Sequence, residues 1–301
     1  MRFDIVTLGS AVIDTFVNTD VGEKDSFMRY PVGSKMLIKE LRADIGGGAT
    51  NTATAFSRFG FKTGCICNVG NDNNGKDILT LLKKEKITFL GAIRKAQTGY
   101  SVILDSKKHN RTILTYKGPN NNIRTQDIPD FQTKWLYYSS AMETSYETQR
   151  KLAKKLAREN VKLAFNPSSY LIKNKDISDL LKITEVLILN KEEAEMLCRK
   201  YKKRGDIMKA LCSLGPKIAV VTDRDNPTQC YNVEKVYTVK PHKSIKVLER
   251  TGAGDAFAAG FIAGLMANYT IDKCLKLATE ESESVLGYFG AKNNLIKRKI
   301  K

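Results

Sequence analysis

The sequence predicts an α/β fold: a doubly wound, mainly parallel sheet with helices on both faces and a small β lid. Three observations carry that expectation. Short apolar runs alternate with helix-like stretches along most of the chain, the pattern of strands joined through helices. Two segments, at about 15–45 and 97–117, interrupt the alternation with extended residues that lack helical periodicity. Late in the chain a glycine turn, Thr251-Gly252-Ala253-Gly254-Asp255, runs straight into an apolar, small-residue helix.

Each element follows from its residues. Residues 1–9 read as a buried first strand, because they lack the long apolar centre and small-residue cleavage site of a signal peptide. A helix is expected over 51–60, a strand over 63–69 and a helix over 75–86. A strand at 135–139, a helix at 146–160 and a strand at 162–166 follow. Residues 186–189 form a short buried strand, 192–200 a helix and 218–222 another strand, and the C-terminal third reads as mainly helical. Residues 100–105 and 111–116 flank a polar turn, a hairpin in outline. With the 15–45 excursion this hairpin makes a lid, a device that excludes water where hydrolysis competes with transfer. No linker, repeat or low-complexity tract divides the 301 residues, so residues 1–301 are expected to form a single domain.

Composition narrows the partners. Apolar residues make up 42% of the chain and charged residues 27%, with no apolar run long enough for a membrane-spanning helix. The net charge is +18, but the lysines and arginines are spread through nearly every segment, and no aromatic-interleaved nucleic-acid motif accompanies them. Solvated helix faces account for them, so neither specific nucleic acid nor a membrane is expected as partner. Six cysteines, at 65, 67, 198, 212, 230 and 274, have no zinc or redox spacing, which points to a reducing, cytoplasmic setting. His109 and His242 lie in no supporting motif, so neither is expected to do chemistry.

The chemistry is concentrated in glycine turns and carboxylates. In 251–255 the N–H groups of Gly252, Ala253 and Gly254 and the positive end of the following helix suit a phosphate or a growing negative charge. Asp255 beside them suits acceptance of a proton from an attacking hydroxyl. A glycine turn with an ordinary first-turn aspartate has the same sequence, so other segments must decide. Gly46-Gly47-Gly48-Ala49-Thr50-Asn51 is a second glycine turn that opens a helix, with Asn51 offering both a donor and an acceptor. Asp14, in Gly9-Ser10-Ala11-Val12-Ile13-Asp14, lies at the end of a strand and on its own reads as an unremarkable turn residue.

In this order, and over nearly all of the chain, these segments resemble the ribokinase-like (PfkB) family of carbohydrate and nucleoside kinases. The resemblance implies phosphoryl transfer from a magnesium-bound nucleotide, ATP or ADP, to a substrate hydroxyl. It makes Asp255 the base, Gly252, Ala253 and Gly254 the anion hole, and Asp14, Gly47 and Asn51 the substrate contacts. Asn190 and Glu193, the ends of Asn190-Lys191-Glu192-Glu193, match an element associated with Mg²⁺, and Tyr116-Lys117-Gly118-Pro119-Asn120-Asn121 matches a stretch near substrate. Asn190, Thr222, Arg224, Thr251 and Gly290 are the implied nucleotide contacts. Three positions depart from the family pattern. Glu249-Arg250 replaces an Asp-Thr pair tied to monovalent-cation binding; Arg224 stands where glycine is common; Glu280 and Glu281 lie in a helix often small and apolar near the adenine. A sugar is the expected acceptor. Nucleosides are the alternative, with Phe16, Phe27, Tyr100 and Tyr116 as candidate base platforms, and a catalytically weak sugar- or nucleotide-binding protein is a further one. The lid leaves room for a homodimer.

Overall fold

A computed structural model describes residues 1–25, 27–107, 110–242, 245 and 247–301; His109 lies outside the described residues. The central sheet has nine strands, in the order Val236–Val239, Asn226–Tyr231, Ile218–Asp223, Thr184–Asn190, Lys162–Phe165, Trp135–Tyr138, Ile5–Leu8, Thr63–Ile66 and Thr88–Phe89. From Ile218–Asp223 to Thr88–Phe89 every pairing is parallel, while the first two strands join antiparallel at one edge.

Alternation along the strands separates two cores. Val6, Leu8, Leu136, Tyr138, Leu163 and Phe165 point to one face, where they pack with residues of the Glu143–Ala157 and Lys191–Lys200 helices. Ile5, Tyr137, Ala164, Val186, Ile188 and Val220 point to the other, against the Gly48–Arg58, Ala253–Met266 and Ile271–Leu286 helices. The Ala253–Met266 helix is apolar all round and buried continuously from Ala256 to Gly264, so it lies inside the layer, not on its surface. A parallel sheet covered on both faces is the predicted architecture. Within the described residues no helix is long and apolar enough to cross a membrane.

The lid is a second, four-stranded sheet in the order Arg111–Tyr116, Gly99–Asp105, Val12–Asn18 and Glu40–Gly46. The hairpin and the early excursion therefore form one surface. Its register places Asp14 opposite both Asp44 and Ser101, and Phe16 opposite Arg42 and Ile103, so these six side chains share one face.

The structure corrects several expectations. Asp14 does not end a strand of the main sheet; it is the third residue of the lid strand Val12–Asn18. After Ile218–Asp223 the chain forms two further antiparallel strands, Asn226–Tyr231 and Val236–Val239, before the helices at its end. Asn226–Tyr231 is polar, contains Pro227 and buries only Thr228 and Cys230, so it carries little apolar signal. Helices start two or three residues early, at Gly48, Asn73 and Glu143. For the second of these, the cap is Asp72, whose side chain accepts from the Gly75 N–H at 2.8 Å. The strand expected at 63–69 divides into Thr63–Ile66 and Val69–Gly70, and the latter pairs with Ile93–Arg94.

Glu281 does not face a nucleotide site. It is fully buried, Oε2 accepts from the Ile296 N–H at 2.9 Å, and Oε1 has no partner among the described residues. Burial pushes its carboxyl from 4.5 up to about 7. The unfolded chain ionises near the ordinary value, so the penalty on the folded state is absent below about pH 4.5, grows up to about 7, and is complete above it. Ionisation in the fold costs about 3 kcal/mol. Glu281→Gln should therefore raise the melting temperature at pH 8 and lose that advantage as the pH falls toward 4.5. Thermal unfolding of both proteins across this range checks it.

Candidate active site

The site forms where two helices begin beneath the lid. Asn51, in the first turn of the Gly48–Arg58 helix, donates from Nδ2 to Asp255 Oδ2 at 2.7 Å. Asp255 lies in the first turn of the Ala253–Met266 helix. The Asn51 Oδ1 accepts from Lys292 Nζ at 2.6 Å, and the same ammonium donates to the carbonyl of Ile45. Three segments far apart in sequence are thereby joined in one chain of hydrogen bonds.

Five charged groups crowd this volume. Burial raises the Asp255 carboxyl above the usual carboxylate range and Asp14 adds to it, while the Asn51 hydrogen bond, Lys292 and Lys117 oppose the rise. Asp14, buried on the lid, is likewise raised by burial, with Ser101, Lys292 and Lys117 opposing and Asp44 reinforcing. Burial pulls the Lys117 ammonium down, against the pull of Asp14 and Asp255. Lys292 is pulled down by burial to about 8, with Asp44, Asp14 and Asp255 holding its proton on. A carboxylate whose proton affinity is lifted toward neutrality accepts a hydroxyl proton more readily than an exposed one.

The anion turn is built differently from the sequence expectation in one respect. The Ala253 N–H donates to the Arg250 carbonyl at 3.3 Å and so turns away, whereas Gly254 and Asp255 have first-turn N–H groups with no acceptor inside the helix. Gly252 caps the helix. Thr251 is occupied elsewhere: its hydroxyl donates to Glu249 at 2.7 Å and accepts from Arg111 Nη1 at 2.7 Å. Glu249 is buried and also accepts from the Arg250 and Thr251 N–H groups, both at 2.8 Å, and from Arg111. Its charge is satisfied within the chain. Arg111 belongs to the lid, so this pair ties the lid to the turn.

A cavity of about 850 Å³, large enough for a nucleotide, runs from this turn along Asn190, Thr222 and Arg224 to Thr279, Ser282 and Leu286. Arg224 takes φ +48°, a backbone region that favours the glycine expected there, and its side chain turns to Glu192 at 2.9 Å on the exposed rim. Asn190 and Glu193 form a capping box: Asn190 Oδ1 accepts from the Glu193 N–H at 2.8 Å and Glu193 Oε2 from the Asn190 N–H at 3.1 Å. Glu193 Oε1 accepts from the Ser169 N–H at 3.0 Å. Each oxygen of Glu193 is thus engaged once and keeps a lone pair, which suits contact with a hydrated cation better than a dedicated cage. Among the described residues no cluster of three His, Cys, Asp or Glu side chains could hold a metal by itself.

Gly290 is placed apart from this cavity. It adopts φ +87°, and a Cβ there would lie 1.8 Å from Asp44 Oδ2, so it backs the lid carboxylates. It lines a smaller cavity of about 540 Å³ with Phe16, Arg42 and Tyr288. Of the four candidate base platforms only Phe16 shares the Asp14 face. It is buried edge-on against Phe289 at 6.1 Å, and Phe289 is covered by the Arg42 guanidinium at 4.1 Å. Tyr100 pairs with Tyr116 on one side and Ile13 on the other, on the opposite face, and Phe27 lies in the two-residue strand Phe27–Met28 outside the lid sheet.

Gly47, Asn51, Asp14 and Asp255 are therefore gathered in one site, with Asn190, Thr222 and Arg224 along the adjoining cavity. Sequence reasoning missed Asp44, Arg111 and Lys292. Period-two alternation in 40–46 would have put Asp44 on the face of Gly46, but the Lys292 and Arg111 contacts arise only from tertiary packing.

A family model described as pfkB family carbohydrate kinase matches residues 3–298. The chain is 25% identical over 307 residues to an ATP-dependent 6-phosphofructokinase of Thermoanaerobacterium thermosaccharolyticum, covering 96% of this chain and 90% of that one. It is 24% identical over 301 residues to a cytidine kinase of Thermococcus kodakarensis, covering 95% and 97%. In fold it is similar to the adenosine kinase of Sinorhizobium meliloti, with a TM-score of 0.80 or above (0.83), 21% identity and coverage of 97% and 96%.

Gly47 is tightly constrained. Its φ of +101° is a glycine conformation, and a Cβ would meet the Ser10 carbonyl oxygen at 2.3 Å, a backbone atom that cannot turn away. Gly47→Ala should destabilise the fold by at least about 1–3 kcal/mol and displace the start of the Asn51 helix. Urea unfolding, with substrate affinity measured on the folded fraction, checks both effects.

Proposed function

The chain belongs to the pfkB family of carbohydrate kinases and is a phosphotransferase with an alcohol group as acceptor; within that family we propose that it phosphorylates a free hydroxyl of a sugar of the ribose or fructose type. The observation that carries this reading is the Asn51–Asp255 hydrogen bond at the opening of a helix, beneath the carboxylate of Asp14 and beside a nucleotide-sized cavity.

Asp14, the Gly47 backbone and Asn51 hold the polyol, and one hydroxyl faces Asp255. Asp255 removes its proton as the oxygen bonds to the terminal phosphorus, and the bond from that phosphorus to the bridging oxygen of the nucleotide breaks. The N–H groups of Gly254 and Asp255 and the helix dipole stabilise the charge on the transferring group. ATP, or ADP, lies along Asn190, Thr222 and Arg224. Mg²⁺ fits the Asn190–Glu193 end through water, where it would offset phosphate charge.

Support for a sugar over a nucleoside comes from the lid. Phe16 is buried edge-on against Phe289, and Phe289 is already covered by Arg42, so the Asp14 face offers a base no exposed stacking platform in these two rings. Tyr288, exposed at the smaller cavity, is the aromatic group a nucleoside base would use.

Phosphoryl transfer from Mg-ATP and Mg-ADP should be measured on a panel of pentoses, hexoses, sugar phosphates and nucleosides. Turnover on a free sugar, lowered roughly 10²–10⁴-fold or more in Asp255→Ala, is the expected result. Activity should rise with pH through a value above the ordinary 3.8 of an aspartate, because the base must be ionised and burial lifts it. Preferential turnover of nucleosides would replace the sugar assignment.

A further inference from the structure

Lys292 is a lysine that nothing in the proposed reaction requires, yet it is 3% exposed at the centre of the site. A buried ammonium is costly unless it is paired, and no carboxylate lies within salt-bridge distance of it among the described residues. Its two acceptors are neutral, the Ile45 carbonyl and Asn51 Oδ1. Its backbone is fixed as well: the Lys292 carbonyl accepts from Arg58 Nη1 at 2.8 Å, and Arg58 is itself clamped by Glu85 at 2.6 Å. Arg58 ends the helix whose first turn carries Asn51, so lysine and asparagine are held to one rigid element.

An ammonium only donates, so the Asn51 oxygen must face it, and the Asn51 amide nitrogen is then the group left to face Asp255. Without the lysine the amide is free to turn over, presenting its oxygen to a carboxylate. We propose that Lys292 is a positioning residue that fixes the amide orientation of Asn51 and, through it and its own charge, keeps Asp255 ionised and aimed at the acceptor hydroxyl. The inference rests on the reading of Asp255 as the base, but its physical content, control of the Asp255 carboxyl, is separable from turnover.

The groups that act on this relay come from every surrounding element. Asp14 and Asp44 face Lys292 from two lid strands, Arg58 opposes its charge from below, and Lys117 acts on Asp255 from the segment after the lid hairpin. Removing Lys292 leaves three carboxylates with one cation fewer, which raises the proton affinity of Asp255.

The test is carbon NMR of the aspartate carboxyls, with Asp255 assigned by its loss in Asp255→Asn, in the native protein and in Lys292→Met, which keeps the aliphatic stem. The Asp255 titration should move up by about one pH unit in Lys292→Met, a tenfold change in its protonation constant. In the native protein the same resonance should show a second step at about 8, where Lys292 loses its proton, and that step should vanish in the variant. In the kinase assay kcat should fall and its acid limb should move up by the same amount, with KM for the nucleotide unchanged. An unmoved Asp255 titration, or a native protein without the second step, overturns the proposal. The second criterion needs only the native chain, so it stands even if Lys292→Met fails to fold. Both NMR effects in a protein whose native form transfers no phosphoryl group would leave the relay intact and overturn the kinase reading instead.

Discussion

One hydrogen bond, from the Asn51 amide to the Asp255 carboxylate, sets the geometry on which the rest of the site depends. It joins two helix openings that are 204 residues apart in sequence. For the bond to form, the Gly48–Arg58 and Ala253–Met266 helices must pack against the same face of the central sheet, and their turns must approach closely. The second core supplies the packing, and Gly47 supplies the tight backbone. The main sheet is thus a platform that brings two small turns together, with the lid carboxylates above them.

The cost of this arrangement is a concentration of buried charge. Asp44 repels Asp14 and Asp14 repels Asp255 in a poorly solvated volume, and Lys117 and Lys292 offset them. A site balanced in this way holds proton affinities away from their solution values, which is what a group that must gain and release a proton requires. Glu249 solves a similar problem locally: buried beside the anion turn, it is neutralised by Arg111 from the lid and by two backbone N–H groups. The lid is therefore attached to the site by charge as well as by covering it.

Much of the platform was legible in the sequence, because central parallel strands buried on both faces leave unbroken apolar runs such as 186–189 and 218–222. The strands Asn226–Tyr231 and Val236–Val239 escaped notice because their exposure alternates and they leave no apolar run; Pro227 is tolerated in the first because it falls at a register irregularity against Ile218–Asp223. Asp14 was singled out only through the family resemblance, and not as a lid residue, since Val12–Asn18 is as buried as a strand of the main sheet. Asn51 and Asp255 stood out because glycine turns mark helix openings. Lys292 did not, because nothing in Gly290-Ala291-Lys292 distinguishes a buried lysine from a solvated one; its role arises from a contact across 241 residues. The turn of the Ala253 N–H toward Arg250 is likewise a detail of backbone geometry that residue types do not encode.

The most direct measurement is a crystal structure of the native chain with an unreactive nucleotide analogue and the sugar that proves to be its substrate. One sugar hydroxyl should lie within about 2.6–3.2 Å of an Asp255 carboxylate oxygen and in line with the terminal phosphorus, while Asp14 accepts from neighbouring hydroxyls. A sugar bound with every hydroxyl out of reach of Asp255, and with the terminal phosphate away from the Gly252–Asp255 turn, would contradict the account.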